Sequence, residues 1–214
     1  GFWTEERLEQ LHMDGLEDEK GNRYNVAGIE ENVVHAFRDD GRPVAIKPCK
    51  GGFIDSVEAR NKCHLELKKL EELRHSHIVE MLGFLEMDGY ICTVMEYMGA
   101  VTLEHIMQKA GFLKPRQAAA YISDVLDGLD YLHSMDVVHG NIKPRNVFLT
   151  PEGRCKLTDF GLTLPDKILN GSSTESLGMV SQRFARRHSI SKTSENVTAM
   201  YAAPENTRHG RTPQ

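Results

Sequence analysis

Two short polar segments in the second half of the chain constrain its fold more than any other feature. Residues 138–146 read V-H-G-N-I-K-P-R-N, and residues 156–161 read K-L-T-D-F-G. The first segment follows the strongest helical pattern in the chain, at residues 115–135, where apolar residues recur at helical spacing. We expect this helix to lie in a core and to deliver the polar segment to a fixed position. The apolar stripe consists of Ile122, Val125, Leu126, Leu129 and Leu132.

Both segments resemble motifs of the eukaryotic protein kinases. The first is similar to the catalytic loop, H-R-D-x-K-P-x-N, and the second is similar to the magnesium loop, D-F-G. Further kinase-like motifs occur in the family's order, so the resemblance spans about residues 25–205, and the lysine and proline at residues 143–144 favour the Ser/Thr branch. These motifs are V-A-I-K at 44–47, H-S-H-I-V at 75–79, T-V-M-E-Y-M at 93–98 and T-A-M-Y-A-A-P-E at 198–205.

The resemblance implies an α+β, two-lobed protein-kinase-like fold. Its small N-lobe would hold an antiparallel sheet plus helix C, and its C-lobe would be mainly helical. We expect an N-terminal extension at residues 1–20, the N-lobe at 21–96 and the C-lobe at 97–214. Because family members continue through several helices after A-P-E, we expect this C-lobe to be incomplete. The polar, Ser- and Thr-rich residues 162–197 are expected to be a long activation segment without regular structure.

Local patterns predict several elements independently of the family. D-D-G at residues 39–41 separates two apolar, strand-like runs and therefore predicts a hairpin. A similar turn at residues 87–89 predicts two strands within residues 81–98. Residues 57–74 have helical spacing with Cys63, Leu67 and Leu70 on one face. Residues 1–20 are acidic and compatible with a helix.

The resemblance implies that ATP is the cofactor. In this family the V-A-I-K lysine, here Lys47, meets the α- and β-phosphates and pairs with a helix-C glutamate, here Glu66. Met95 matches the gatekeeper of the adenine pocket, and the backbone of Glu96 and Met98 matches the hinge. The nucleotide-binding residues implied in this way are Gly28, Val33, Ala45, Lys47, Glu66, Met95, Glu96 and Met98.

The glycine-rich loop departs from the family pattern G-x-G-x-x-G-x-V. Aligned on Val33, its three glycine positions are Val26, Gly28 and Glu31. Glycines allow backbone N–H groups to approach phosphate closely, and only the middle one is present. Because Glu31 would place a carboxylate near a polyanion, we expect weakened ATP affinity.

The catalytic loop departs at the residue that accepts the substrate's hydroxyl proton, because Asn141 stands where the family has Asp. The amide accepts a hydrogen bond but does not take the proton at neutral pH. General-base catalysis is worth roughly 10²–10⁴ in rate, so we expect a large loss of phosphoryl transfer. The other catalytic groups are implied intact: Lys143 meets the γ-phosphate, and Asn146 and Asp159 hold Mg²⁺.

Gly140 replaces the family's arginine, which meets a phosphate on the activation segment. Without that cation, we expect phosphorylation of Ser189 or Thr198 to produce little ordering through this route. The run R-R-H-S-I at residues 186–190 resembles a target of basic-directed kinases.

Three functional hypotheses remain open. The chain is an ATP-binding regulatory pseudokinase with weak transfer, an active Ser/Thr kinase that tolerates Asn141, or a nucleotide-free scaffolding module, the last motivated by Glu31. H-G-N at residues 139–141 is similar to the kinase-homology domains of receptor guanylyl cyclases, Janus-kinase regulatory domains and some plant receptor-like pseudokinases.

Composition limits the setting and the partners. The net charge of −5 over 214 residues gives no reason to expect nucleic acid as a partner. The four cysteines form no C-x-x-C pair, which indicates reduced thiols in the cytoplasm, or in the cytoplasmic part of a larger, membrane-anchored protein. No apolar run approaches the ~20 residues of a membrane span. We expect ATP and a protein substrate or partner.

Overall fold

The computed structural model describes residues 3–4, 6–7, 9, 15–30, 32–53, 56–87 and 89–160. They form two compact units, residues up to 99 and residues 100–160. Several predictions fall outside the described residues. They concern Glu31, Gly161, the activation segment at 162–197, Ser189, Thr198 and the motif at 198–205.

The described part of the first unit contains a six-stranded antiparallel sheet with the strand order β1-β2-β3-β4-β6-β5. Strands alternate their side chains between two faces, and one face supplies the core. The strands are β1 (Leu16–Glu17), β2 (Arg23–Glu30), β3 (Val33–Arg38), β4 (Pro43–Phe53), β5 (Met81–Met87) and β6 (Tyr90–Glu96). The fully or almost fully buried residues of that face include Val34, Ala36, Val44, Ile46, Cys92 and Val94.

The predicted hairpin at D-D-G is confirmed as the turn between β3 and β4. Gly41 has φ +84°, a left-handed conformation that glycine adopts without a side-chain penalty. Its N–H donates to the carbonyl of Arg38 over 2.7 Å, and Asp40 Oδ1 accepts from the N–H of Arg42 over 3.1 Å. The turn sets the register in which Phe37 lies opposite Pro43.

The helix predicted at residues 57–74 is confirmed as α1 (Val57–Glu71). Ser56 caps its N-terminus, because the Ser56 hydroxyl accepts a hydrogen bond from the N–H of Ala59 over 3.3 Å. The predicted face, Cys63, Leu67 and Leu70, is buried.

The helix-compatible pattern of residues 1–20 is wrong for Leu16 and Glu17, which form β1 and pair with β2. Leu16 is buried in the core of the sheet together with Tyr24. Burial of an apolar side chain in a sheet therefore overrides a weak local helical preference here.

The second unit contains α2 (Leu103–Ala110), α3 (Pro115–Ser134), a 3-10 turn (Pro144–Asn146), β7 (Val147–Leu149) and β8 (Cys155–Leu157). β7 and β8 form an antiparallel hairpin. Among the described residues, none of the helices is long and apolar enough to cross a membrane.

The prediction that the whole apolar stripe of α3 lies in a core is wrong for the described residues. Ile122 and Leu126 are each 58% exposed, whereas the buried face consists of Asp124, Gly128 and Leu132. These three residues are spaced i, i+4, i+8 on the side of the helix that meets β8. The helix is therefore anchored through a face that contains a carboxylate and a glycine, which apolar patterning does not identify.

Candidate functional site

In the first unit, the residues predicted to bind nucleotide lie on neighbouring strands. Ala45 is paired with Met95, and Lys47 is paired with Thr93, across β4 and β6. Val44, Ile46 and Val94 enter the core, so the alternation of side chains places Ala45, Lys47 and Met95 on the opposite face of the sheet. The hydroxyl of the fully buried Thr93 donates to the carbonyl of Lys47 over 3.2 Å, which fixes the strand at this lysine.

The remaining residues of the glycine-rich loop lie where β2 and β3 pair. Gly28 is opposite His35, beside a register shift between Val26 and Gly28. A Cβ built at Gly28 has nothing within 4 Å, so the described surroundings leave that position open. Val33 begins β3 and is half-buried.

Glu66 lies on α1, next to the buried Leu67. Its carboxylate is half-buried and lies 2.7 Å from the ammonium of Lys69 on the same helix. An i, i+3 pair of this kind is available to any helix and stabilises it by about 0.2–0.5 kcal/mol. Glu66 therefore makes a weak local ion pair in this structure.

Glu96, which is predicted to lie in the hinge, is held by contacts that the sequence did not predict. Its N–H donates to the carbonyl of Glu80 over 2.9 Å, and its carboxylate accepts from the N–H of Glu80 over 2.8 Å. The Glu80 carboxylate in turn pairs with Arg42 at 2.6 Å and Arg74 at 3.2 Å. Met98, two residues further along the chain, is half-buried.

In the second unit, hydrogen bonds close the predicted catalytic loop on itself. The side-chain N–H of Asn146 donates to the carbonyl of Asn141 over 2.8 Å, and its backbone N–H donates to the carbonyl of Lys143 over 2.9 Å. The N–H of Asn141 donates to Nδ1 of His139 over 3.2 Å. These bonds use the backbone of residue 141, so the shape of the loop does not depend on the side chain there.

The two residues predicted to bind metal lie at the same end of the β7–β8 hairpin. Asn146 immediately precedes β7, Asp159 follows β8 by two residues, and the N–H of Thr158 donates to the carbonyl of Asn146 over 3.0 Å. Asp159 has φ +62°, a left-handed conformation that is uncommon outside glycine and concentrates at functional sites. Because the amide N–H₂ of Asn146 is directed to Asn141, the side chain presents its oxygen as a ligand. A carboxylate and an amide oxygen are suitable donors for Mg²⁺.

His139 and Phe160 form the buried apolar end of this region. Their rings meet edge to face with centroids 6.3 Å apart. Burial lowers the pKa of His139 to about 4, although the nearby Asp159 carboxylate acts in the opposite direction. The imidazole is therefore neutral at physiological pH, and its Nδ1 is the acceptor for Asn141. Leu70 and Met81 are buried within the first unit.

Asn141 and Lys143 are half-buried, and Lys143 has an extended backbone immediately before the 3-10 turn. Gly140 has φ +72°, and a Cβ built there meets no atom of the described residues within 4 Å. A side chain at this position therefore has space, but only in a backbone conformation that L-residues disfavour.

A sheet that carries a strand lysine, and a closed loop with Asn146 near an Asp-Phe pair, are the features of a protein-kinase-like fold. Comparison with known families agrees, because the family model described as protein kinase domain matches residues 27–213. The chain belongs to the protein kinase family, and the expected α+β, two-lobed fold is confirmed.

The chain is also similar to curated Ser/Thr kinases. It is 36% identical over 122 residues to a probable serine/threonine-protein kinase of Dictyostelium discoideum, covering 57% of this chain and 24% of the relative. It is 31% identical over 126 residues to serine/threonine-protein kinase 12 of Arabidopsis thaliana, covering 58% and 28%. It is 29% identical over 142 residues to the serine/threonine-protein kinase mos of Vultur gryphus, covering 56% and 70%. The chain therefore matches about a quarter of the length of the first two relatives.

Proposed function

We propose that the chain is a Ser/Thr-kinase-like, ATP-binding domain with weak phosphoryl transfer, and that it acts mainly as a regulatory pseudokinase in the cytoplasm. The observation that carries this proposal is the loop closed by Asn146 onto the carbonyl of Asn141. The loop keeps its internal bonds with an amide side chain at residue 141. What Asn141 changes is therefore the chemistry of the loop rather than its fold.

Nucleotide binding is proposed for the first unit. Lys47 would pair with the phosphates, with Glu66 as its partner once that side chain leaves Lys69. Ala45 and Met95, paired across two strands, would form apolar wall for the adenine. Gly28, Val33 and the backbone of Glu96 and Met98 would complete the contacts. The same sheet face carries Lys47, Ala45 and Met95, which supports this assignment.

Mg²⁺ is proposed for the second unit, held by Asn146 and Asp159. When bound, this ion neutralises phosphate charge during transfer. The backbone hydrogen bond from Thr158 to Asn146, at the open end of the β7–β8 hairpin, supports the assignment, as does the oxygen chemistry of the two side chains. Lys143 would add a positive charge at the transferred phosphoryl group.

Asn141 would orient the substrate hydroxyl by accepting its hydrogen bond, but the amide does not remove the proton. Proton removal would then fall to solvent, with a loss of roughly 10²–10⁴ in rate. The active-kinase alternative shares every other residue with this proposal. It is favoured by the intact loop bonds and by the Ser/Thr kinases to which the chain is similar.

The decisive experiment compares phosphate transfer to a generic protein substrate by the chain and by Asn141→Asp. We expect the substitution to raise the rate about 10²–10⁴-fold, because it restores a base at an unchanged loop position. Asp159→Asn in the Asp variant is the matched control and should remove the gain.

Equal rates with Asn and Asp would contradict the role of Asn141. Mg-ATP should also raise the melting temperature, and Lys47→Ala should abolish that rise. If millimolar nucleotide does not raise the melting temperature, both ATP-binding hypotheses are contradicted and the nucleotide-free scaffolding module remains.

A further inference from the structure

A carboxylate on α3 remains outside the site described above. Asp124 lies in the middle of this helix and is only 4% exposed. A buried carboxylate is costly unless it is paired and hydrogen-bonded. Its retention on a helix face that otherwise consists of Gly128 and Leu132 needs a structural explanation.

Asp124 accepts several hydrogen bonds from the hairpin that follows the catalytic loop. Its Oδ1 accepts from Nη2 of Arg154 over 2.6 Å, and its Oδ2 accepts from Nε of Arg154 over 3.0 Å. The Oδ2 atom also accepts from the backbone N–H of Cys155 over 2.9 Å. A forked guanidinium on one carboxylate is strongly directional, and it fixes orientation as well as position.

These bonds hold the turn of the β7–β8 hairpin. The carbonyl of Arg154 accepts from the N–H of Thr150, which closes the turn, and Cys155 is the first residue of β8. Each strand has only three residues, so an isolated hairpin of this size would not be stable. The position of the hairpin is therefore set by the contacts that join its turn to α3.

The opposite end of the same hairpin carries the two candidate metal ligands. Val147 is paired with Leu157, and the next residues outward include Asn146 and Asp159. A three-residue strand is about 10 Å long. A displacement of the turn is therefore transmitted to Asn146 and Asp159 over a short, hydrogen-bonded ladder.

The helix that carries Asp124 also leads into the catalytic loop. Beyond its C-terminus, the N–H of Val137 donates to the carbonyl of the buried Leu132 over 2.9 Å, two residues before His139. One rigid helix thus holds the start of the loop through Leu132 and the turn of the hairpin through Asp124.

We propose that Asp124 is a positioning residue, which sets the relative placement of Asn146 and Asp159 by fixing the β7–β8 turn to α3. This inference rests on the proposed function, because it assumes that these two side chains hold Mg²⁺. Arg154 is the hydrogen-bond partner through which Asp124 fixes the turn. The Arg154 side chain is 59% exposed, so it pairs with Asp124 without being part of the core.

The test uses Asp124→Asn in the full 214-residue chain. An amide has one acceptor oxygen, so it loses the acceptor for Nη2 of Arg154 and with it the fork, even if that oxygen still accepts from Nε and from the N–H of Cys155. We measure the nucleotide-induced rise in melting temperature as a function of Mg²⁺ concentration. The expected result is a shift of the Mg²⁺ half-saturation to about 10–100-fold higher concentration, the range found for residues that orient metal ligands. Binding of nucleotide without Mg²⁺ should be unchanged.

Asp130→Asn, an exposed position on the same helix, is the matched control and should leave the Mg²⁺ dependence unaltered. Arg154→Lys keeps the charge but loses the fork, so it should give an intermediate shift. It also keeps the proposal testable if Asp124→Asn does not fold. A lower melting temperature with an unchanged Mg²⁺ half-saturation, in either variant, would mean a merely structural role and would overturn the inference. A wild-type chain that binds nucleotide without any response to Mg²⁺ would instead contradict the proposed metal site.

Discussion

Replacing Glu19 by Gln should make the first unit more stable at alkaline pH. The Glu19 side chain is 20% exposed, and its Oε2 accepts from the N–H of Phe84 over 3.2 Å. It lies beside the buried carboxylate of Glu71, and the ammonium of Lys20 pairs with Glu71 and lies 3.9 Å from Glu19. Burial, followed by the hydrogen bond with Glu71, raises the pKa of Glu19 from 4.5 to about 7.

The sign follows from linkage. Because the pKa is higher in the folded chain than in the unfolded chain, folding favours the protonated carboxyl. Its contribution is complete below about pH 4.5 and is lost as the pH rises through about 7. A full conversion of this shift at 1.36 kcal/mol per pKa unit gives about 3 kcal/mol. Partial exposure and solvent screening reduce the expected effect to about 1–2 kcal/mol.

The assay is urea unfolding at pH 5, 6.5 and 8, followed by the fluorescence of Trp3. Trp3 is the single tryptophan and packs against the core of the sheet, so it reports on this unit. The free energy of unfolding of Glu19→Gln minus that of the wild type should rise by about 1–2 kcal/mol between pH 5 and 8. The lowered pKa of His139 also makes stability fall on acidification. Because His139 is present in both proteins, its contribution cancels in the difference between their free energies of unfolding. Glu17→Gln, on the exposed side of β1, is the control, and a difference for Glu19→Gln that does not change with pH would refute the reasoning.

Three further predictions each rest on one local feature: a helix cap, a backbone angle and the burial of two thiols. Ser56→Ala removes the N-cap of α1 and should lower the free energy of unfolding by about 1 kcal/mol in urea titration; no change would mean that the cap is not formed in solution. Gly140→Ala should cost about 1 kcal/mol through its φ of +72°, since no atom of the described part of the chain obstructs the Cβ, and equal stability would show that the loop backbone adjusts. Burial raises the pKa of Cys63 and Cys92 to about 12, so iodoacetamide at pH 8 should label neither thiol before unfolding, and rapid native labelling of either would contradict their burial.

Much of the first unit was predictable because its signals are local. The turn at Gly41 and the buried face of α1 depend on residues within a few positions of one another. Ala45 and Met95, which pair across β4 and β6, are far apart in sequence, and only the family's motifs assigned both to one predicted site. By contrast, nothing in the local pattern of Leu16 indicated a strand, because its conformation is set by a sheet formed later in the chain.

The features that the sequence did not predict are polar pairs between residues far apart in the chain. Asp124 and Arg154 are 30 residues apart, and Glu80 and Glu96 are 16 residues apart. An aspartate beside an apolar helical stripe gives no sign that it is buried, and an arginine in a turn gives no sign that it reaches a helix. The exposure of Ile122 and Leu126 has the same origin, since the buried face of α3 follows from where β8 lies.

In the predicted catalytic loop, the hydrogen bonds that set the shape use the backbone of residue 141. The bond from Asn146 reaches the carbonyl of residue 141, and the bond to His139 comes from its N–H. Any residue except proline at position 141 can supply both groups. Gly140 has a left-handed conformation, which glycine adopts without a side-chain penalty. Asp and Asn at residue 141 are therefore expected to leave the same loop shape, with the proposed metal ligand Asn146 in place. For the same reason, the single substitution Asn141→Asp is expected to raise the rate of phosphoryl transfer without any further change in the loop.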